Sequence, residues 1–360
     1  LLVLAVFWEI TCWGGNEAVS ATAFKYFSSS APCQVFWGGE AVVFTPKAAV
    51  PGSLHYKVAN WRDKTVMEGS YQGGSNPLTL TGLPFGYYSL QIFDSQQKLL
   101  DQGVFSVVRS DKGPAQNPDG FYAMDSAHSW LAGPNPPLQM AINELTGLSG
   151  AVMIRDRMRW REVEETPGTY VWGGYMSNNA RQMHLRNVQV LQMFHDSPAL
   201  ARARLADMAD DLLKLYKFAG KCSYDFKDCI SNWEFWNEED SSGINAWDYA
   251  AGLKAAYLGY KSGNPQAVVA ISGVSGQAVV PSYVYTVMDN DAGPYMDVFN
   301  YHIYDGVSGY PYRLQQYHRL LAKYHLGDRP IWITECGSVL EGTGTADAAV
   351  KGLKEHSPNQ

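Results

Sequence analysis

The chain has 360 residues, enough for about two domains, or for one large barrel with an accessory unit. Hydrophobic residues make up 46% and charged residues 18%, which excludes an intrinsically disordered chain. The net charge is −7 with no Lys/Arg-rich block, so nucleic acid is not an expected partner, and no apolar run reaches the ~20 residues of a membrane-spanning helix.

Residues 1–24 read as the remnant of a secretory signal peptide. Leu1 to Trp8 is an apolar octet, and small residues follow at Ala18, Ser20, Ala21 and Ala23. The alternative is a buried N-terminal strand. Export places the protein in the secreted, periplasmic or cell-surface compartment. No basic segment precedes the octet and the chain starts at Leu1, so a start truncated from a longer protein is expected.

Residues 25–110 read as an all-β unit. Short segments alternate apolar and polar residues, among them Ala41-Val42-Val43-Phe44 and Tyr88-Ser89-Leu90-Gln91-Ile92-Phe93. Turn signals such as Gly38-Gly39, Pro51-Gly52 and Asp94-Ser95 lie between them, and the pattern predicts a small β-sandwich. It holds no cluster of catalytic residue types and is expected to be an accessory domain. Residues 111–118, rich in Pro, Gly and polar side chains, predict a linker.

From residue 119 the texture changes. Strand candidates at Phe121–Met124, Ala151–Ile154, Val188–Phe194, Asn232–Trp236, Val268–Ser272, Val298–Ile303 and Pro330–Thr334 alternate with helical stretches such as Ala199–Phe218 and Ala246–Lys261. This alternation predicts an α/β architecture with a parallel sheet. Seven units in about 240 residues fit a (β/α)8 TIM barrel over 119–360 better than a doubly wound sheet. The remaining residues, with a helix expected over 346–355, leave no room for an eighth strand, so a C-terminally incomplete barrel is expected. No glycine-rich dinucleotide or phosphate loop occurs, and no cofactor is predicted.

There are five cysteines, and none has the spacing of a zinc site, so no metal is predicted. Cys222 and Cys229 are placed in a polar loop, where an exported protein could join them as a disulfide and a cytoplasmic one would leave them free.

Two carboxylates stand where strands end: Glu238 in Asn232-Trp233-Glu234-Phe235-Trp236-Asn237-Glu238, and Glu335 in Ile331-Trp332-Ile333-Thr334-Glu335. A barrel keeps its active site at the C-terminal ends of its strands. Carboxylates after strands four and seven would face one cleft, and glycoside hydrolysis needs such a pair. A lone strand-end Glu is as often an ion-pair partner.

The stretch Trp233 to Glu238 resembles the W-x-x-W-N-E-P signature of clan A retaining glycoside hydrolases, which are (β/α)8 enzymes. Ile331 to Glu335 resembles their strand-seven motif. Ile154-Arg155 through Trp160, Val163-Glu164 and Pro167-Gly168 resembles their second strand and loop, and Asn300-Tyr301-His302-Ile303-Tyr304 their sixth-strand element. The texture is nearest to glycoside hydrolase family 39. The resemblance implies a retaining O-glycosyl hydrolase acting on a polysaccharide or oligosaccharide. Glu238 would be the acid/base and Glu335 the nucleophile. Asn237 would hold the sugar 2-hydroxyl, Arg155 would keep Glu335 ionised, and His302 and Tyr304 would line the cleft. Where the signature has Pro, this chain has Glu239 and then Asp240, and that charge is expected to raise the Glu238 pKa. The alternative is a non-catalytic carbohydrate-binding or structural surface protein on a degenerate barrel.

Other residues carry weaker signals. His195 and Asp196 close strand three and are candidates for sugar hydroxyls, as are His128 and Trp130 after strand one. Arg157 and Arg159 alternate with Arg155, and at least one is expected to pair with Glu162 or Glu164. Glu234 is expected in a buried ion pair. Trp236, Trp332, Met193 and Met288 read as core. The 22 Tyr, 14 Phe and 11 Trp fit an aromatic core better than a set of sugar platforms.

Overall fold

The computed structural model describes residues 24–108 and 123–337, apart from 134, 173–174, 203, 205–206, 276–278 and 305–306. The signal-peptide cleavage zone, the linker at 111–118 and the helix expected over 346–355 lie outside the described residues. The chain divides into two compact units, Leu1–Gln116 with Met140–Ser149, and Asn117–Gln139 with Gly150–Gln360. The segment Met140–Ser149, assigned to the barrel by sequence, thus groups with the first unit.

The first unit contains eight strands: β1 (Phe27–Ser28), β2 (Val35–Trp37), β3 (Val42–Pro46), β4 (Val50–Asn60), β5 (Thr65–Gly74), β6 (Leu78–Leu80), β7 (Gly86–Phe93) and β8 (Leu99–Val108). They form two sheets, β1-β3-β6 and β2-β8-β7-β4-β5, antiparallel except where β2 meets β8. The two-residue period decides what is buried. Val42 and Phe44, Leu78 and Leu80, Leu90 and Ile92, and Phe105 and Val107 all join one apolar cluster. Phe24 also belongs to that cluster, so the packed unit includes the last residue read as leader. Asx turns close two hairpins. The Asn60 carboxamide accepts from the Arg62 and Lys64 amides, and the Asp94 carboxylate accepts from the Gln96 and Lys98 amides.

The second unit begins with β9 (Ala123–Asp125), α1 (His128–Leu131) and the start of α2 (Pro136–Ser149), whose residues from Met140 on group with the first unit. Then come β10 (Met153–Arg159), α3 (Trp160–Val163), α4 (Tyr175–His184), β11 (Gln189–His195) and α5 (Leu212–Asp225). The rest is β12 (Asn232–Phe235), α6 (Ala246–Gly263), β13 (Val268–Ile271), α7 (Ser282–Asp289), β14 (Phe299–Ile303), α8 (Tyr310–Lys323) and β15 (Ile331–Cys336). Strands β9 to β13 pair in parallel and in chain order, as do β14 and β15. Parallel bridges Ala270–Val298 and Val274–Tyr301 carry the pairing from β13 to β14. The predicted α/β alternation is therefore present, with seven parallel strands among the described residues. Every residue of β12 and β14 is buried, as expected for parallel strands covered on both faces.

The helix expected over Ala199–Phe218 starts thirteen residues later, at Leu212. Asp211 is its N-cap, accepting from the Lys214 amide, and the helix then runs through Cys222 to Asp225. Cys222 thus lies buried on a helix, and Cys222 and Cys229 are both free thiols. Helix α6 packs tightly on α5 because Gly259 has no side chain. A Cβ there would lie 2.4 Å from the Tyr216 carbonyl oxygen. The aromatic residues are mainly core: Trp160 stacks on Phe218 at 4.2 Å, and Trp233 on Tyr260 at 5.0 Å.

Candidate active site

On β10 the residues Arg155, Arg157 and Arg159 share one face of the strand, because side chains alternate. Asp156, on the opposite face, accepts from the Ser129 amide and hydroxyl and from Asn179. Arg155 is buried and extends toward the ends of other strands. Its Nε and Nη2 grip both oxygens of the fully buried Glu234, at 2.6 and 3.1 Å. Its Nη2 also donates to Asn237 Oδ1 at 2.7 Å. Its Nη1 reaches Asp125 at 3.4 Å and Glu335 Oε2 at 3.3 Å. Burial alone would lower the Arg155 pKa, but Glu234, Asp125 and Glu335 together raise it. Glu234 is satisfied further by the Gly273 amide at 3.1 Å and Asn300 Nδ2 at 2.9 Å. The ion pair expected of Glu234 is thus present, within a set of five hydrogen bonds donated by one guanidinium.

After β12 the chain turns sharply. Trp236 and Glu238 have φ of +75° and +46°, a region that non-glycine residues enter at a cost. The Glu238 amide donates to the Gly273 carbonyl at 3.2 Å, and the Glu238 carbonyl accepts from the Ser241 and Ser242 hydroxyls. These bonds hold the turn.

The turn directs Glu238 Oε1 to within 2.9 Å of His302 Nδ1. The same nitrogen lies 3.3 Å from Glu335 Oε2. One oxygen from each carboxylate and the imidazole nitrogen all lie within 4.8 Å of one another. Both partners of Nδ1 are carboxylates, so Nδ1 carries the proton and donates. His302 is fully buried, and its Nε2 has no hydrogen-bond partner among the described residues. Tyr304, half exposed, donates its hydroxyl to Glu335 Oε1, and Arg157 Nη2 stands 3.6 Å from Glu335 Oε2. The Tyr304 hydroxyl pKa is raised by burial and then by the Glu335 charge. Glu238, His302 and Glu335 are also the trio among the described residues whose ligand atoms cluster closely enough for a metal ion, although the shared N–H bond already accounts for their approach.

The expectation for Glu238 is overturned. Its carboxyl is held below its ordinary range, first by the His302 hydrogen bond, against burial, and then by the charges of His302, Arg155 and Arg157. The following acids do not reverse this direction. Asp240 is engaged by the Ser275 amide and hydroxyl, each at 2.8 Å. Glu239 is fully buried, and burial pushes its pKa up to about 8, so it is neutral near pH 7.

The structure brings Glu238, Glu335, Asn237, Arg155, His302 and Tyr304 into one cluster. His195 lies at its margin, with Nδ1 on Asp196 at 3.0 Å and its ring edge on Trp130 at 4.9 Å. Burial lowers its pKa, against the pull of Asp196. Asp196 also meets Arg159 and Arg161, both at 3.3 Å, and Arg159 pairs with Glu162 at 3.1 Å as expected. Trp130 is 37% exposed and carries Arg159 and Arg157 over its ring at 4.6 and 5.2 Å. His128 is not part of the cluster: it is buried against Asn179 at 3.3 Å. Glu164 accepts from the Trp160 indole at 2.6 Å and the Gly168 amide at 2.7 Å. Trp236, Met193 and Met288 are core, while Trp332 is only partly buried.

Sequence reasoning did not single out Asp125, Gly273, Asn300 or Thr334. Asp125 holds Arg155 and Arg157, and Thr334 donates its hydroxyl to Asn300 at 2.9 Å. Gly273 borders His302 so closely that a Cβ would fall 2.1 Å from Nε2. The one available signal was positional: Asp125 ends the first strand of the series, as Glu335 nearly ends the last.

No family model matches the chain, and no curated protein matches it in sequence. Among solved structures, it is similar to a family 39 glycoside hydrolase from Bacteroides cellulosilyticus. That match has a TM-score of 0.66 and 18% identity over 84% of this chain and 66% of that one. At that identity the likeness shows a shared fold. The chain spans just under two thirds of the length of that structure. A glucosidase from Croceicoccus marinus is more distant, with a TM-score of 0.43 and 15% identity over 54% of this chain and 47% of that one. So is the catalytic domain of a GH30 xylanase C from Talaromyces cellulolyticus, at 0.39 and 15% over 51% and 52%.

Proposed function

We propose that the chain is a retaining O-glycoside hydrolase acting on a polysaccharide or oligosaccharide, with Glu335 as nucleophile and Glu238 as acid/base. The observation that carries this reading is the Glu238–His302–Glu335 cluster. One oxygen of each carboxylate lies within 4.8 Å of the other, which supports the short ~5–5.5 Å spacing of retaining pairs over the wider spacing of inverting ones.

The roles follow from the surroundings. Glu335 attacks the anomeric carbon while Glu238 gives its proton to the departing oxygen. A glycosyl ester forms on Glu335 and the leaving group departs as an alcohol. Water then attacks the anomeric carbon, Glu238 takes a proton from that water, and the bond from that carbon to Glu335 breaks to release the carboxylate. Arg155, Arg157 and Tyr304 fix the orientation of Glu335 and counter its charge. His302 bonds to the ionised form of Glu238, the form needed for the second step. A sugar entering between the carboxylates displaces that bond, which favours the protonated form that the first step consumes. Asn237, anchored through its oxygen on Arg155, has its amide group left for a sugar hydroxyl.

The seven parallel strands are read as consecutive strands of a (β/α)8 barrel, and the first unit as an accessory β-sandwich. The apolar octet at Leu1–Trp8 supports export, where such substrates are met. No helix among the described residues is long and apolar enough to cross a membrane.

Trapping tests the reading. The chain is incubated with a panel of activated 2-deoxy-2-fluoro glycosides, and peptides are weighed by mass spectrometry. A sugar adduct on Glu335 is expected. An adduct on another residue removes Glu335 as nucleophile, and none with any probe on a folded chain turns the reading toward a carbohydrate-binding protein.

A further inference from the structure

Beside Glu238 the surface opens into a crevice of about 540 Å³ between the N-terminal ends of α6 and α7. Asp240, Asn245, Trp247, Ser282, Tyr283 and Thr286 line it. Its volume lies within the range of small-molecule sites. Asp240, two residues from Glu238, forms its wall, so at most roughly 7 Å of chain separates the two. That wall is fixed, because both Asp240 oxygens are held by Ser275.

Trp247 is the notable member. Its indole is 58% exposed, although the other large rings near β12 are buried. A second crevice of about 400 Å³ meets the same indole and includes Lys254, Asn290 and Tyr295. A Trp ring kept in water beside hydrogen-bonding side chains suits a recognition surface, where one side is apolar and the other wet. A pyranose has the matching chemistry. One face of the ring presents C–H groups to an aromatic plane, and its rim presents hydroxyls to groups such as Asn245, Ser282 and Thr286.

The position along the reaction assigns the end of the substrate. A general acid must touch the oxygen that leaves, so the leaving group lies on the Glu238 side. The crevice begins on the loop that carries Glu238. We propose that it receives the leaving-group end of the substrate, and that this end is itself a saccharide of two or more units stacked on Trp247. The proposal rests on the glycosidase reading and deepens it: the enzyme acts on saccharide chains and does not merely strip a sugar from a small aglycone.

Two measurements test it. The first compares kcat/KM for cellohexaose, xylohexaose, mannohexaose and laminarihexaose with kcat/KM for the 4-nitrophenyl glycoside of the same sugar. Trp247→Ala should lower the hexasaccharide-to-nitrophenyl ratio at least tenfold, and Trp247→Phe should restore most of it. A ratio within twofold of the unsubstituted chain overturns the proposal. The second titrates the same hexasaccharides calorimetrically into a Glu335→Gln chain, with and without Trp247→Ala. A dissociation constant at least tenfold weaker without the indole is expected. Equal binding, or no binding of any hexasaccharide, overturns the crevice assignment. If the unsubstituted chain cleaves neither class of substrate, the glycosidase reading fails, while the titration still decides the crevice.

Discussion

Gly273 and His302 are fitted to each other: the imidazole occupies the space where any other residue at 273 would carry its Cβ. A Cβ 2.1 Å from Nε2 must displace the ring, and the ring is what joins Glu238 to Glu335. Gly273→Ala should therefore reduce kcat by roughly 100-fold, the cost of misplacing a reacting group by about 1 Å. Turnover of an activated aryl glycoside, read beside the melting temperature, checks this. Undiminished turnover in a folded variant would show that the His302 position does not matter.

Glu238→Gln tests the acid role through the leaving group. General acid catalysis contributes roughly 10²–10⁴-fold, and mostly where the departing oxygen is basic. The variant should lose about that factor in kcat/KM on an alkyl glycoside or oligosaccharide. On a 2,4-dinitrophenyl glycoside, whose leaving group needs no proton, the loss in the first step should be small. Equal losses on both would remove Glu238 from the acid role.

The Arg155–Glu234 pair is a stability feature as well as a support for the site. Arg155→Met leaves the fully buried Glu234 charge without its bidentate partner, which should cost about 3–5 kcal/mol in urea unfolding. The double variant Arg155→Met/Glu234→Leu removes both charges and should recover part of that loss. If the single variant costs less than about 1 kcal/mol, the pair is not the structural centre described above.

Glu239 gives a pH dependence with a defined sign. Its carboxyl binds a proton up to about pH 8 in the folded chain, against an ordinary value of 4.5. Between those limits the folded state holds one proton more than the unfolded state, so stability falls as pH rises. This contribution is fully present below pH 4.5 and is lost as pH rises to about 8. Glu239→Gln cannot ionise, so its melting temperature should gain on the parent chain steadily from pH 5 to pH 8.5. A constant difference across that range would mean that Glu239 finds a charged partner.

The α/β alternation and the paired acids were legible because each depends on short-range pattern. Strand runs, turn residues and the strand-end position of Glu238 and Glu335 can all be read within a few residues. The start of α5 was misplaced because Ala199 to Ala209 is rich in helix formers, yet only Ala199–Ala201 form a short 3-10 turn, and Met208 and Ala209 are buried without being helical. There tertiary packing overrides propensity, and the cap at Asp211 sets the boundary. The charge state of Glu238 was misread for another reason. Adjacency in sequence suggested repulsion from Glu239 and Asp240, whereas a turn with positive φ at Glu238 sends successive side chains to different surroundings. Contacts such as Arg157 with Glu335, or Gly273 with His302, depend on the register of strands far apart in the chain.

That separation has a consequence for biosynthesis. Arg155 and Glu335 are 180 residues apart, and Arg155 and Glu234 are 79 apart. A ribosome making this chain will have released most of the second unit before β15 emerges. Until then the guanidinium has only part of its acidic company, and the two carboxylates have not met. Contacts this distant in sequence are slow to form. The cluster is therefore among the last features of the fold to assemble, and a chain interrupted before Glu335 would carry the scaffold without the pair of acids.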